Sequence, residues 1–141
     1  MLTFVGKEAN VMKYSVDKED KYAVFSLEEE NLNSLMAPKL KSELVILNNE
    51  GVPNLILDLS KVEFVDSSGL SSILTGNRLW QDEGLFILTG IKSPNVKRLI
   101  EISRLDGILT IIPTLQESVD YVIMQEIENE LKGEDEGEEP S

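Results

Sequence analysis

The segment from Leu55 to Leu59, which reads Leu-Ile-Leu-Asp-Leu, constrains the fold more than any other feature of the sequence. It is short, almost wholly apolar and bounded by turn-forming residues. Successive side chains of a strand point to opposite faces of a sheet, so consecutive apolar residues need cover on both faces. The segment therefore predicts a central strand that is covered on both faces.

The segments around this strand predict further strands of the same sheet. Val11–Val16 and Tyr22–Leu27 alternate in polarity across a polar turn at 18–21, which predicts an N-terminal hairpin. Short apolar runs at Leu85–Leu88 and Leu109–Ile112 predict two more strands. The sheet should therefore contain four to five strands.

Four predicted helices separate and follow these strands. They run from residue 33 or 34 to Asn49, from Ser67 to about Asp82, after the Ser93-Pro94 N-cap, and after a capping box of Thr114 and Glu117. The last helix is amphipathic, and its apolar side consists of Leu115, Val119, Val122, Ile123 and Ile127. Together the elements predict one α/β domain, with a mixed, mostly parallel sheet covered by about four helices.

The chain contains no cysteine and no histidine. This composition excludes a Cys/His zinc site, a thiol nucleophile, a Ser-His-Asp triad and a histidine phosphorelay. Asp58, Glu63 and Asp66 form no matched acid/base pair, and the pattern of a P-loop is missing. We therefore expect a protein that is not an enzyme and has neither metal nor cofactor; only a metal site made of carboxylates alone stays open.

A formal net charge of −13 limits the partners that suit this chain. Nucleic acids and anionic membranes attract basic surfaces, so neither is an expected partner. The sequence contains neither a signal peptide nor an apolar run of transmembrane length, which predicts a cytoplasmic protein. The composition changes at residue 132, so we expect a domain over 1–131 and a disordered acidic tail over 132–141.

The stretch from Leu55 to Leu74 carries the most specific pattern. A buried strand leads through a short connector to Asp-Ser-Ser-Gly-Leu at 66–70, the predicted start of a helix. Ser-Pro-Asn-Val-Lys-Arg-Leu follows at 93–99, with Ile-Ser-Arg-Leu at 102–105. These motifs and the order of elements resemble the STAS domain, the family of bacterial anti-sigma factor antagonists, over roughly Val11 to Glu130. The sequence departs from the family at Leu27–Leu32, where many members carry a Gly-Glu-Leu/Ile-Asp turn.

The resemblance implies a phosphorylation-controlled anti-sigma factor antagonist that regulates transcription. Ser67 directly follows Asp66 and matches the family's phosphoacceptor, with Ser68 as the alternative acceptor. Unmodified relatives bind an anti-sigma factor that is also a serine kinase of the GHKL ATPase type. Phosphorylation releases the kinase, and a PP2C-type phosphatase resets the switch.

Three alternatives to this switch stay open. Asp66 or Ser67 is a suitable helix N-cap, which is a purely structural role. The chain also fits a non-switching STAS subunit of a signalling complex or a lipid-transport ABC complex. A third reading is a nucleotide-binding STAS module, because the start of a helix is favourable for anions.

The helix that begins at Ser67 has an unusual predicted outer face. Its buried side consists of Leu70, Ile73, Leu74 and Trp80. The opposite side consists of Ser68, Ser72, Thr75 and Leu79 and is almost uncharged, which favours contact with another protein. With Asp66, Ser67 and Gly69, these four residues form the predicted partner-binding set. The alternative is that a loop or the terminal helix of the same chain covers this side.

Overall fold

The computed structural model describes residues 11–138 of the chain, with side chains to residue 133. The main sheet contains β1 (Tyr14–Lys18), β2 (Ala23–Leu27), β4 (Leu55–Asp58), β6 (Phe86–Thr89) and β7 (Thr110–Ile112). Their order is β1-β2-β4-β6-β7, and only the β1–β2 hairpin is antiparallel. The predicted mixed, mostly parallel sheet with an N-terminal hairpin is confirmed, although β1 begins at Tyr14 and not at Val11.

A second, smaller sheet was not predicted. β3 (Asn31–Leu32) pairs in parallel with β5 (Phe64–Val65) and is separate from the main sheet. Both strands have only two residues, which is too short to produce a periodic sequence pattern.

The central strand β4 has the environment that its composition predicts. Leu55 and Leu57 lie in the larger core cluster, whereas Ile56 lies in a second cluster with Val122 on the other face. The side chains of Leu55, Ile56 and Leu57 are fully buried. Burying one such side chain stabilises a fold by roughly 1.5–3 kcal/mol, so both faces of this strand contribute to stability.

Four α-helices occur within residues 11–138: α1 (Ala37–Asn49), α2 (Ser67–Trp80), α3 (Pro94–Ile102) and α4 (Leu115–Glu138). The first three contribute to the larger core, and α4 covers the opposite face of the sheet. Among these residues, no helix combines the length and the apolar composition that crossing a membrane requires.

The starts of the helices follow local hydrogen bonds. Ser93 caps α3, because its Oγ accepts hydrogen bonds from the N–H groups of Asn95 and Val96 at 3.2 and 3.3 Å. At the start of α4, the Glu117 N–H donates to Thr114 Oγ1 at 3.1 Å, as the capping box predicts.

The start of α1 differs from the prediction. Asn33 Oδ1 accepts hydrogen bonds from the N–H groups of Leu35 and Met36 at 3.0 and 3.4 Å, which holds this stretch in a turn. The helix therefore begins only at Ala37, with Pro38 in its first turn, where the missing N–H of proline has no cost.

The apolar side of α4 is only partly buried. Val122 is fully buried, but Leu115, Ile123 and Ile127, which belong to the predicted apolar side, are 40%, 38% and 49% exposed. The reason is length: a helix of 24 residues extends over about 36 Å, whereas a four-residue strand spans only about 13 Å. The apolar side chains of α4 that pack on the sheet, Val119 and Val122, lie in the first half of the helix.

The structure also differs from the expected acidic tail. α4 continues to Glu138, so residues 132–138 are helical, while 139–141 and 1–10 lie outside the described residues. In this segment Lys132 and three Glu residues favour a helix, whereas Gly133 and Gly137 disfavour one. The division into a domain over 1–131 and a tail over 132–141 stays a prediction.

Candidate functional site

Asp66 is the N-cap of α2. Its backbone is extended, with φ −100° and ψ −173°, and its Oδ1 accepts a hydrogen bond from the Gly69 N–H at 2.9 Å. This bond satisfies one of the N–H groups that a helix start leaves unpaired. Of the two residues that the sequence offers as a cap, Asp66 has this role and Ser67 does not.

Ser67 is the first residue of α2 and is exposed to solvent. The side-chain hydrogen bonds in this first turn and a half are made by Asp66 and Ser72, so the Ser67 hydroxyl has no structural partner among the described residues. Ser68 is half-buried and is followed by the buried Gly69. Ser67 is therefore the more accessible of the two candidate acceptors.

The small β3–β5 sheet fixes the position of this helix start. The Asp66 N–H donates to the Leu32 carbonyl at 3.2 Å. A Cβ at Gly69 would lie 2.3 Å from the Leu32 carbonyl oxygen and 2.8 Å from Val65 Cγ1. Only glycine allows so close an approach, because any larger side chain would clash with backbone.

The segment Leu27–Leu32, in which the sequence departs from the family pattern, is attached to the connector before α2. The Phe64 N–H donates to the Glu30 carbonyl at 3.1 Å. Lys61 forms an ion pair with Glu28 at 2.9 Å. The acidic loop Leu27–Leu32 therefore helps to position the connector that leads into α2.

Much of the predicted outer face of α2 is packed inside the protein. Ser72 is fully buried, and its Oγ donates to the Gly69 carbonyl at 2.6 Å. Thr75 and Leu79 are half-buried, and Leu79 packs against the main core. The prediction of an exposed docking face is therefore wrong for Ser72, and Gly69 is buried too.

The cover comes from the same chain, as in the alternative prediction, but it is α1 that packs on α2 and not a loop or the terminal helix. Asn48 Nδ2 on α1 donates to the Leu79 carbonyl at 3.1 Å. A Cβ at Gly76 would lie 2.4 Å from the Phe86 ring of the sheet. Because α2 packs against α1 as well as against the sheet, its buried sector is wider than one apolar stripe. Its small residues allow this close packing.

Two exposed apolar side chains near Ser67 were not among the predicted site residues. Phe64 on β5 is 51% exposed, and Leu35 in the turn before α1 is 61% exposed. Ser34, the neighbour of Leu35, lines the same groove as Ser67. In the sequence, Phe64 stands among core-type residues, so no local signal shows that it faces outward.

The carboxylates near the site have structural hydrogen bonds. Asp58 Oδ1 accepts a hydrogen bond from the Ser60 N–H at 2.9 Å, and Asp66 caps α2. Within the part of the chain that the structure describes, no group of three or more acidic residues is arranged to hold a metal ion.

Comparison with known proteins identifies one family. The pattern of the STAS domain matches residues 13–118 of the chain. BtrV of Bordetella bronchiseptica, provisionally named an anti-sigma factor antagonist, is 33% identical over 103 residues, which cover 72% of this chain and 84% of BtrV.

Solved structures agree with this match. An anti-sigma factor antagonist from Mycobacterium paratuberculosis is 26% identical, with a TM-score of 0.72 over 80% of this chain and 95% of that chain. The Bacillus cell fate determinant SpoIIAA in its phosphorylated form shares the fold, with a TM-score of 0.62 and 21% identity over 78% of this chain and 99% of its own.

Proposed function

This chain belongs to the STAS domain family, and on that premise we propose that it is an anti-sigma factor antagonist whose binding is switched by phosphorylation of Ser67. One observation carries the proposal: Asp66 caps α2, while the exposed Ser67 hydroxyl has no structural role. Modification of Ser67 therefore leaves the cap intact. The unpaired N–H groups at the helix start also favour a phosphate there.

The partner is an anti-sigma factor that is a serine kinase of the GHKL ATPase type. Relatives that are named anti-sigma factor antagonists support an anti-sigma factor as the partner. The unmodified protein binds the kinase and so frees the sigma factor, and a PP2C-type phosphatase restores this state after phosphorylation. The role is regulatory and not catalytic.

The binding surface is centred on Ser67. Phe64 and Leu35 add apolar contacts beside it, since both are more than half exposed. Of the predicted partner-binding residues, Asp66, Ser67 and Ser68 contact the partner, and Thr75 and Leu79 are at the margin of the surface. Gly69 and Ser72 act indirectly, because both are buried and hold the start of α2 in place.

Phosphorylation weakens binding through the interface itself. A phosphate adds about −1.5 to −2 charges at neutral pH, next to the carboxylate of Asp66. A partner surface that fits a hydroxyl between apolar side chains then contains an unpaired charge, which costs about 3–5 kcal/mol. This cost corresponds to a loss of affinity of at least about a hundredfold. Release needs no unfolding, because Ser67 contributes nothing to the cap of α2.

Titration calorimetry with a GHKL-type anti-sigma factor kinase of the same organism tests the proposal. Ser67→Asp should weaken binding by at least about a hundredfold, whereas Ser67→Ala should bind normally but resist phosphorylation, as mass spectrometry will show. Ser15→Asp is the matched control, because it adds the same charge at an exposed position on β1, outside the proposed surface.

Equal affinities of the wild type and Ser67→Asp, with phosphate on another residue or on none, would rule out the switch. An affinity that does not change when a charge is added at position 67 would instead support a non-switching subunit of a larger assembly.

A further inference from the structure

A groove beside Ser67 brings a positive side chain and several hydroxyl groups together. It encloses about 350 Å³ between α1 and the start of α2 and is lined by Ser34, Ala37, Pro38, Lys41, Ser67, Ser68 and Ser71. One lysine and four serines line it, and no carboxylate does. In a chain with a net charge of −13, a groove without an acidic lining residue favours an anionic group.

Lys41 is the cation of this groove. It lies on α1 and is half-buried. The ion pairs found within residues 11–138 involve Lys18, Lys21 and Lys61, so none of them occupies Lys41. Lys39 lies on the same helix but lines a different groove together with Glu43. Lys41 therefore differs from its neighbour in having hydroxyl groups, not a carboxylate, around it.

We propose that Lys41 binds the phosphate of phosphorylated Ser67 and holds it in this groove. The inference rests on the proposed function, in which Ser67 is the phosphoacceptor. Lys41 is the charged residue that lines the groove together with Ser67. The carboxylate of Asp66, the residue before Ser67, is already bound to the Gly69 N–H. Lys41 thus acts as a positioning residue that fixes the direction in which the added charge points.

The proposal has a consequence for the phosphate itself. The second pKa of phosphoserine is about 6, and a nearby ammonium group favours the dianion and lowers this pKa. At contact distance in a solvent-exposed groove, the effect should be about half a pH unit. Removing the cation should raise the pKa by that amount, and high salt should reduce the difference.

A ³¹P NMR pH titration measures this pKa directly. Phosphoserine is incorporated genetically at position 67 of the full chain, so no kinase is needed. Lys41→Gln should raise the phosphate pKa by about half a unit, while the matched variant Lys39→Gln leaves it unchanged. Lys41→Arg retains the positive charge and should keep the pKa low. Circular dichroism of each variant verifies that it is folded.

The outcomes separate the two proposals. An unchanged pKa in Lys41→Gln, or an equal shift in Lys39→Gln, overturns the role of Lys41. If the pKa shifts as expected but phosphorylated and unmodified protein bind the kinase equally well, the switch fails while the Lys41 contact stands. If the phosphorylated protein loses affinity and the pKa is unaffected by Lys41, the switch stands alone.

Discussion

The carboxylate of Asp66 accepts a hydrogen bond from the backbone N–H of Gly69 at 2.9 Å. This contact joins the first and fourth residues of the Asp-Ser-Ser-Gly motif and leaves the serine after the aspartate free. In the sequence, either Asp66 or Ser67 could be the N-cap of α2. The structure assigns the cap to Asp66, so the Ser67 hydroxyl does not have that role. Asp66 stabilises the start of α2, and Ser67 is available for chemistry that does not disturb the helix.

Asp66→Ala should lower the free energy of unfolding by about 1 kcal/mol, because the Gly69 N–H loses its acceptor. Asp66→Asn keeps an oxygen acceptor at the cap and should lose much less. Urea unfolding followed by circular dichroism measures both. A loss as large in Asp66→Asn as in Asp66→Ala would show that the charge matters more than the capping bond.

Gly69→Ala should destabilise the protein by about 1–3 kcal/mol, which is typical of overpacking. The added Cβ would lie 2.3 Å from the Leu32 carbonyl oxygen, which belongs to the backbone and has little room to move. Gly107→Ala is the matched control, since a Cβ there meets nothing within 4 Å. Thermal unfolding distinguishes the two variants, and equal melting temperatures would contradict the close packing of α2 on β3.

Asn54 should be the polar residue on which the junction between β4 and α4 depends. It is buried; its Nδ2 donates to the Lys21 carbonyl at 2.8 Å and to Glu126 Oε2 at 3.0 Å, and its Oδ1 accepts from the Leu85 N–H at 2.8 Å. Asn54→Leu should cost about 3 kcal/mol, because it removes three hydrogen bonds and leaves half-buried groups without partners.

Urea unfolding measures this loss, with Asn129→Leu as the control because Asn129 is exposed on α4. A cost below about 0.5 kcal/mol for Asn54→Leu, the range of ordinary surface substitutions, would contradict the role of Asn54.

Deleting residues 132–141 should leave the fold intact. Leu131, Lys132 and Gly133 are exposed, so this end of α4 has no packed partner among the described residues. The melting temperature should change by less than about 5 °C, which corresponds to roughly 1 kcal/mol for a domain of this size. A larger drop would place the end of the domain beyond residue 131. A deletion from Val122 onward removes a fully buried side chain and should unfold the protein.

The sequence alone determined the elements that depend on local pattern. Leu55 to Asp58 became the central strand because consecutive apolar residues need cover on both faces, whatever supplies it. Asp66 and Ser93 became caps because their short polar side chains bond to N–H groups within three residues along the chain. Such interactions involve residues that are close together in the sequence, so their spacing is enough to predict them.

The tertiary structure decided which residues of α2 are available to a partner. Ser72 belongs to the predicted outer face, yet it is buried because α2 packs against both the sheet and α1. Phe64 looked like core but lies on a two-stranded sheet that leaves it exposed, and Lys41 meets Ser67 only because α1 packs beside α2. The periodicity of one helix specifies which residues share a side. How wide the buried sector is depends on contacts between segments that are far apart in the chain.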